Sequence, residues 1–383
     1  MPFIYLLTLS SFLSITLFEG LVVLGLLYVL YLAYKGRLSF KSLLTKPLLL
    51  HALALLASTL LYAPHYLGKA VERSLFFFIY PLADLSKTDQ RSLYRLNLLL
   101  QMVGIALLPV VAYKYYKTGV PAPLWGGVFE VAMFYFLFSL SSLALFLHRK
   151  NYLYLLLFLL FLLVALFSAR RSTTVGFFVA LLLFLYLARR LISKKLALAV
   201  LISLSVSVVP VGLYLVEKDQ RFKTLYELLS GRQTLNEETL NALSSLRWQI
   251  FKAGVHVVKK DIESLNLLPL LIGHGLNAGE RLNPPSPVGG TYESVLILSE
   301  FIEKGFVGLF ALLWLYISYF KFILKLRVEG WEVLLLPFAL YLSLMFVGSF
   351  FTFFWDALLP LYFLWFRMVE SYYSKAQTLT TIR

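Results

Sequence analysis

The chain has no cysteine among its 383 residues, so it carries no disulfide framework, no thiolate metal site and no cysteine nucleophile. It is also poor in charge. Only 14% of its residues are Asp, Glu, Lys or Arg and 60% are hydrophobic, whereas soluble domains are about a quarter charged and about half apolar. That balance excludes a water-soluble globular fold and reads as an integral membrane protein. Acids are scarcer than bases, 20 against 35. In a soluble protein this excess would suggest nucleic acid. Here it reads as Lys and Arg in cytoplasmic loops facing anionic lipid, and no nucleic-acid partner is expected. The sequence lacks a P-loop, a G-x-S-x-G elbow and a D-x-D cluster, and His274 has no second His or carboxylate at ligand spacing. Neither a metal site nor a cofactor is expected. No cleavage site follows the first apolar run, so the N-terminus reads as a retained membrane segment.

What is present is a series of apolar runs of helical length, without the period-two alternation of barrel strands. Residues 1–36 would span about 54 Å as one helix, too long for one crossing, and are divided near Glu19-Gly20. Further spans are predicted at 47–65, 73–86, 92–113, 124–147, 152–168, 173–188, 196–216, 306–326, 333–350 and 354–372, about twelve in all. With both termini cytoplasmic, the inside loops carry Arg37, Lys41 and Lys46, then Lys87 and Arg91, Arg149 and Lys150, Arg189, Arg190, Lys194 and Lys195, and finally Lys321, Lys325 and Arg327. This is the positive-inside bias. It divides the chain into an N-terminal bundle of about nine spans (1–216), an external loop (217–292) and closing helices with a cytoplasmic tail (293–383). One pair of cations breaks the pattern: Arg170-Arg171, in SARRSTTVG, falls at the outer end of two adjacent spans. Charges at a membrane boundary on that side call for an anion. No internal repeat is evident, unlike transporters built from repeats.

The polar stretch 217–292 holds the remaining candidates. Thr234 to Glu237 fits a capping box, which predicts a helix over about 236–260. Leu240, Leu243, Ile250, Phe251, Gly254, Val257 and Val258 fall on one face of it, and Arg247 lies inside that stripe. Arg247 either snorkels at the interface or offers its planar guanidinium to a lipid-linked phosphate. His274, in Gly273-His274-Gly275, is either a structural hydrogen-bonding residue or a base. Tyr292 and Glu293 stand where the loop re-enters the membrane. Glu293 is either an acid favoured by a helix N-terminus or a general base. Glu19, Glu130 and Asp356 are weaker candidates for the same site, and Lys69, Glu72 and Arg73 form an outer patch, solvated or in contact with sugar or phosphate.

Taken together, SARRSTTVG with Arg171 and Gly176, the element Arg247-Trp248-Gln249-Ile250-Phe251, the loop from Pro269 to Gly275 and the final ESVLILSEFIEKGFVGL resemble the O-antigen ligase and Wzy-type O-antigen polymerase superfamily. The similarity is concentrated in 168–310. Ligases of the superfamily carry H-N-x-x-L at the head of the last element. This chain has Glu293-Ser294 there, a version associated with the polymerases, and either residue can stand for the His.

The resemblance implies a GT-C-like, all-helical glycosyltransferase of the bacterial inner membrane with a periplasmic active site. Its donor would be a glycan on undecaprenyl diphosphate, and its acceptor a sugar hydroxyl of a second lipid-linked glycan or of the lipid A core. Arg171 and Arg247 would clamp the diphosphate with Arg170, and Glu293 would serve as base. Transfer would be metal-independent and inverting, beneath a helical lid. His274, Lys69, Arg73 and Tyr292 would contact substrate. A lipid-linked oligosaccharide flippase is the alternative from another class.

Overall fold

The computed structural model describes residues 1–38, 40–193, 198, 200, 209–352 and 354–381, with side chains through 375. Among the described residues all regular structure is helical. Six helices are long and apolar enough to cross a membrane: Ile15–Tyr34 (α2), Thr45–Tyr62 (α3), Gln90–Thr118 (α5), Val128–Arg149 (α6), Leu296–Ile323 (α13) and Gly330–Ser349, whose α-helical part is Leu336–Ser349 (α14). Shorter apolar helices are Pro2–Leu13 (α1), Tyr152–Phe167 (α7) and Arg171–Leu187 (α8). Leu67–Leu75 (α4), Gln220–Leu229 (α9), Glu237–Ser244 (α10), Arg247–Glu263 (α11), Leu267–Ile272 (α12) and Leu359–Thr381 (α15) complete the set. This is a helical membrane protein. The span expected at 196–216 lies largely outside the described residues; 209–218 are helical.

Three expected elements differ in detail. The first break falls at Ser14, not at Glu19-Gly20, which lie inside α2. Ser14 is extended and its hydroxyl accepts from the Leu17 N–H, so a side-chain cap, not the glycine, starts the new helix. Segment 73–86 is not one span. Helix α4 ends at Leu75 and the chain continues as a 3-10 helix, Phe76–Leu85, with Pro81 inside it, packed against α2 and α15. The helix expected at 306–326 begins at Leu296 and bends at Gly305, where φ is 62°. It therefore draws Glu300, Glu303 and Lys304 into the bundle, all buried.

The core is one continuous apolar cluster in which every residue of α6 from Val131 to Leu147 is buried. Polar side chains tie helices across it. Asn97 Nδ2 donates to the Leu334 carbonyl at 3.0 Å, and Gln101 donates to Ser141 Oγ at 3.0 Å. Such bonds satisfy groups that lipid could not. Helices α8 and α14 meet backbone to backbone at Gly176, where a Cβ would stand 2.3 Å from the Leu344 carbonyl oxygen.

Hydrogen bonds sort the connections into two ends. At one, the Met1 ammonium reaches Ser86, Glu370 accepts from Leu43 N–H at 2.8 Å, Arg367 pairs with Asp84 at 2.8 Å, and Arg190 with Glu329 at 2.6 Å. At the other, Trp125 donates to the Ser11 carbonyl at 2.9 Å, Arg281 to the Tyr62 carbonyl at 2.6 Å, and Arg171 to the Leu243 carbonyl. The basic loops thus share an end, and Arg170-Arg171 lies at the other with the polar stretch.

Candidate active site

The polar stretch folds over that second end. Its amphipathic segment is two helices, not one over 236–260. Asn236, with its side chain accepting from Thr239 N–H at 2.8 Å, caps α10 in place of the expected Thr234–Glu237 box; Glu237 instead pairs with Lys252 at 2.9 Å. Ser245 and Leu246 then both adopt left-handed φ, 55° and 67°, and break the helix. For a branched, bulky residue such as Leu246 this conformation costs about 1–2 kcal/mol and marks a place where tertiary structure overrules propensity. The break turns the chain so that Arg247 becomes the first residue of α11. The buried face of α11 (Ile250, Gly254, Val257) packs on Leu298 and Ile302 of α13; a Cβ on Gly254 would stand 2.8 Å from the Leu298 side chain.

A cavity of about 470 Å³ opens between these elements, lined by Arg171 and Ser172 from α8, Leu243 from α10, Arg247 and Trp248 from α11, and Ser294 beside Glu293. Phe251, Val295 and Phe351 make its walls largely apolar. Arg171 donates to the Leu243 carbonyl and lies over the Phe222 ring, 5.9 Å from its centroid. The Arg247 guanidinium makes no hydrogen bond or ion pair among the described residues. Burial, and after it the nearby Arg170 guanidinium, lower its affinity for a proton; Glu293 acts the other way, and Arg171 and Arg221 add to the lowering. Arg170 Nε and Trp248 Nε1 are buried without partners. Of the four arginines, only Arg221 has its own acid, Asp219, which accepts from its Nε at 2.9 Å. Of these arginines Arg171 and Arg247 line the cavity, and no carboxylate is among its lining residues. Guanidinium groups in that setting suit a multiply charged oxyanion.

The other expected site residues are distributed differently. Arg171, Arg247 and Glu293 are brought together, with Arg170 coupled to them. His274 is buried, and its Nε2 lies 2.6 Å from Asp261 Oδ2, which links its loop to the end of α11. Tyr292 is fully buried. Its hydroxyl donates to the Pro284 carbonyl at 2.6 Å, and burial pushes it up to about 12. Lys69 is exposed on α4. None of these three lines the cavity. Arg73 lies over Trp355, 5.4 Å from its ring, and faces a separate, smaller cavity. Glu130 accepts from Gly127 N–H at 2.6 Å and Asp356 from Leu358 N–H at 2.8 Å, both as local caps. Glu19 sits within α2.

A buried ionic chain escaped the sequence reading. His51 Nε2 lies 2.8 Å from Glu300, and Lys304 donates to both Glu300 oxygens at 2.7 Å. Glu303 accepts from Asn277 N–H at 3.0 Å. The available signal was three ionisable residues within one turn of an otherwise apolar helix. The GHG loop is fixed to the same place: a Cβ on Gly273 would meet the Glu303 backbone at 2.3 Å, and one on Gly305 the Leu271 backbone at 2.4 Å. Two of the motifs are thus two halves of one backbone contact.

No protein-family model matches the chain, and no solved structure matches it. A protein of Aquifex aeolicus (strain VF5), described as an uncharacterized protein, is 43% identical over 381 residues, which covers 96% of each chain.

Proposed function

This chain belongs to the same family as the Aquifex aeolicus protein, and we propose that it is a membrane glycosyltransferase that moves a glycan from undecaprenyl diphosphate to an acceptor sugar hydroxyl at the outer face of the inner membrane. One observation carries the reading: Arg171 and Arg247, from distant parts of the chain, line one apolar-walled cavity beside the turn that holds Glu293. An apolar wall with cations at one end fits a polyprenyl diphosphate. A carboxylate alongside supplies the base that acceptor activation requires.

In the proposed reaction the diphosphate lies between Arg171 and Arg247, with Arg170 behind it. The acceptor hydroxyl attacks the anomeric carbon from the face opposite the diphosphate. The new bond joins acceptor oxygen to anomeric carbon, and the bond from that carbon to the phosphate oxygen breaks with its electron pair leaving on the diphosphate. Glu293 takes the hydroxyl proton. The guanidinium groups offset the charge that develops on the leaving group, the role of preorganised donors in other group transfers. The configuration inverts. Glu293-Ser294 favours the polymerase form, with a lipid-linked glycan as acceptor, over transfer to lipid A core.

The test is to supply purified protein in nanodiscs with a diphosphate-linked repeat unit. Lengthened glycans together with free undecaprenyl diphosphate are expected. Transfer only when lipid A core is added would identify a ligase. Movement of intact donor across the bilayer without bond cleavage would replace this reading with transport.

A further inference from the structure

The stretch 262–272, at the end of α11 and through α12, has a single charged residue, Glu263, and exposes several large apolar side chains. Ile262, Leu265, Leu267, Leu268 and Leu271 are each between 50% and 77% exposed. A surface facing water rarely gathers apolar side chains so densely. The segment is also firmly built. Asp261 is buried, and Asn266 donates to it twice, from Nδ2 to Oδ1 at 3.1 Å and from its N–H to the carbonyl at 2.8 Å. The other carboxylate oxygen lies 2.6 Å from His274 Nε2. Leu265, between Asp261 and Asn266, is held at a left-handed φ of 54°, a backbone state that bulky side chains seldom adopt. The fold thus presents these side chains outward in a fixed conformation.

The neighbouring helix indicates what covers them. The backbone of Leu271 lies against the bend of α13, where a Cβ on Gly305 would stand 2.4 Å from the Leu271 carbonyl oxygen. The His274 and Gly275 N–H groups donate to the Ile302 and Glu303 carbonyls at 2.8 and 3.0 Å, which fixes the far end of α12 to the same bend. Directly after it, Phe306, Phe310, Leu313 and Ile317 recur at helical spacing and are exposed. Helix α13 is long and apolar enough to cross a membrane, so this stripe is the face it turns to lipid. From Phe306 to Ile323 the helix rises about 26 Å, against about 30 Å for the hydrocarbon layer. The bend therefore stands near one boundary of that layer. Helix α12, packed on the bend, lies at the same depth, and its exposed leucines adjoin the lipid-facing stripe.

We infer that residues 262–271 form a wedge that enters the bilayer leaflet on the side of the polar stretch, where lipid acyl chains beneath the headgroups cover its apolar side chains. The polar stretch is thus not wholly an aqueous loop. Acyl chains remove from water the apolar surface that the fold leaves open, as they do for interfacial helices. The bilayer then bears on α11 at its Glu263 end, about 24 Å along the helix from Arg247. The wedge requires the membrane fold alone and not the glycosyl-transfer reading.

The chain has no native cysteine, so a single introduced thiol reports one position. Full-length protein in nanodiscs is labelled with nitrobenzoxadiazole after Leu267→Cys or Leu268→Cys. Phe310→Cys, in the α13 stripe, and Glu238→Cys, on the exposed side of α10, serve as references. Quenching is measured with a nitroxide carried on lipid acyl chains and with aqueous iodide. The labels at 267 and 268 should be quenched by the nitroxide lipid as the label at 310 is, and about fivefold or more less by iodide than the label at 238. Iodide quenching as strong as that at 238 would overturn the wedge. Shielding from both quenchers would overturn it too, because protein and not lipid would then cover the patch. Each labelled variant must keep the unfolding midpoint of the unsubstituted protein. One that does not is replaced by Leu265→Cys, which reads the same surface from the turn.

Discussion

The guanidinium of Arg171 donates to the main-chain carbonyl of Leu243 and so ties the start of the apolar helix α8 to the short helix α10. The arginine expected to meet a phosphate is occupied in this state by a carbonyl oxygen, a weaker acceptor than an anion. A donor diphosphate would displace that carbonyl and free α10 to move about the left-handed pair Ser245–Leu246.

Arg247 has no such stand-in, and its loss should act on the reaction directly. Arg247→Ala is expected to lower kcat/KM about 100- to 1000-fold, the range for removing one preorganised donor. Arg247→Lys should recover little of it, because a point charge does not reproduce bidentate contact. Thermal unfolding in detergent, followed by tryptophan fluorescence, checks that the variants fold. Activity of Arg247→Ala within a few-fold of wild type would remove it from the clamp.

Glu293→Gln keeps the shape of the side chain and removes the base. Extension is expected to fall at least about 100-fold, while a diphosphate-linked donor still raises the unfolding midpoint by binding the folded state. A glutamine variant as active as wild type would place the base elsewhere.

Glycine substitutions separate backbone contact from open space. Gly273→Ala would set a methyl 2.3 Å from the Glu303 backbone at a φ of +88°, and should cost about 3 kcal/mol or more from overpacking and the left-handed backbone together. Gly68 has nothing within 4 Å of an added Cβ and sits in a helix, so Gly68→Ala should stabilise by about 0.5–1 kcal/mol. Denaturation of the two variants in the same detergent measures the contrast.

The pair His274–Asp261 predicts an effect on stability without specificity for either substrate. Asp261→Ala leaves a buried imidazole short of its partner, at a cost of about 1–3 kcal/mol. Donor and acceptor KM should then change together, if at all. A selective rise in one of them, at constant stability, would return His274 to the substrate-binding residues.

Much of the arrangement was legible before the structure. Apolar runs and loop charges indicated the helical membrane fold, and Arg170-Arg171 stood out because cations at that end break the pattern. Arg247 was visible as a charge inside an apolar stripe. The missing parts have physical reasons. Ser245 is only a weak turn signal and Leu246 is none, so the break in the amphipathic helix was hidden. The Glu19-Gly20 pair is the more visible break signal in that run, although the Ser14 hydroxyl makes the cap. His51 and Glu300 are 249 positions apart, and no periodicity links residues at that distance. Gly273 and Gly305 each look merely permissive alone, and only the contact between their two segments explains both.

The contact of Gly176 with the Leu344 carbonyl has a mechanical consequence. With no side chain between them, α8 and α14 cannot slide or part without losing it, so Arg170 and Arg171 ride on a rigid floor. Those two arginines thus share a close-packed base, while α10, whose Leu243 carbonyl lies against Arg171, joins α11 through the left-handed pair Ser245–Leu246. A cross-link from α10 to the end of α8 should therefore lock the grip shut and stop turnover, whereas one between α8 and α14 should leave it free to cycle.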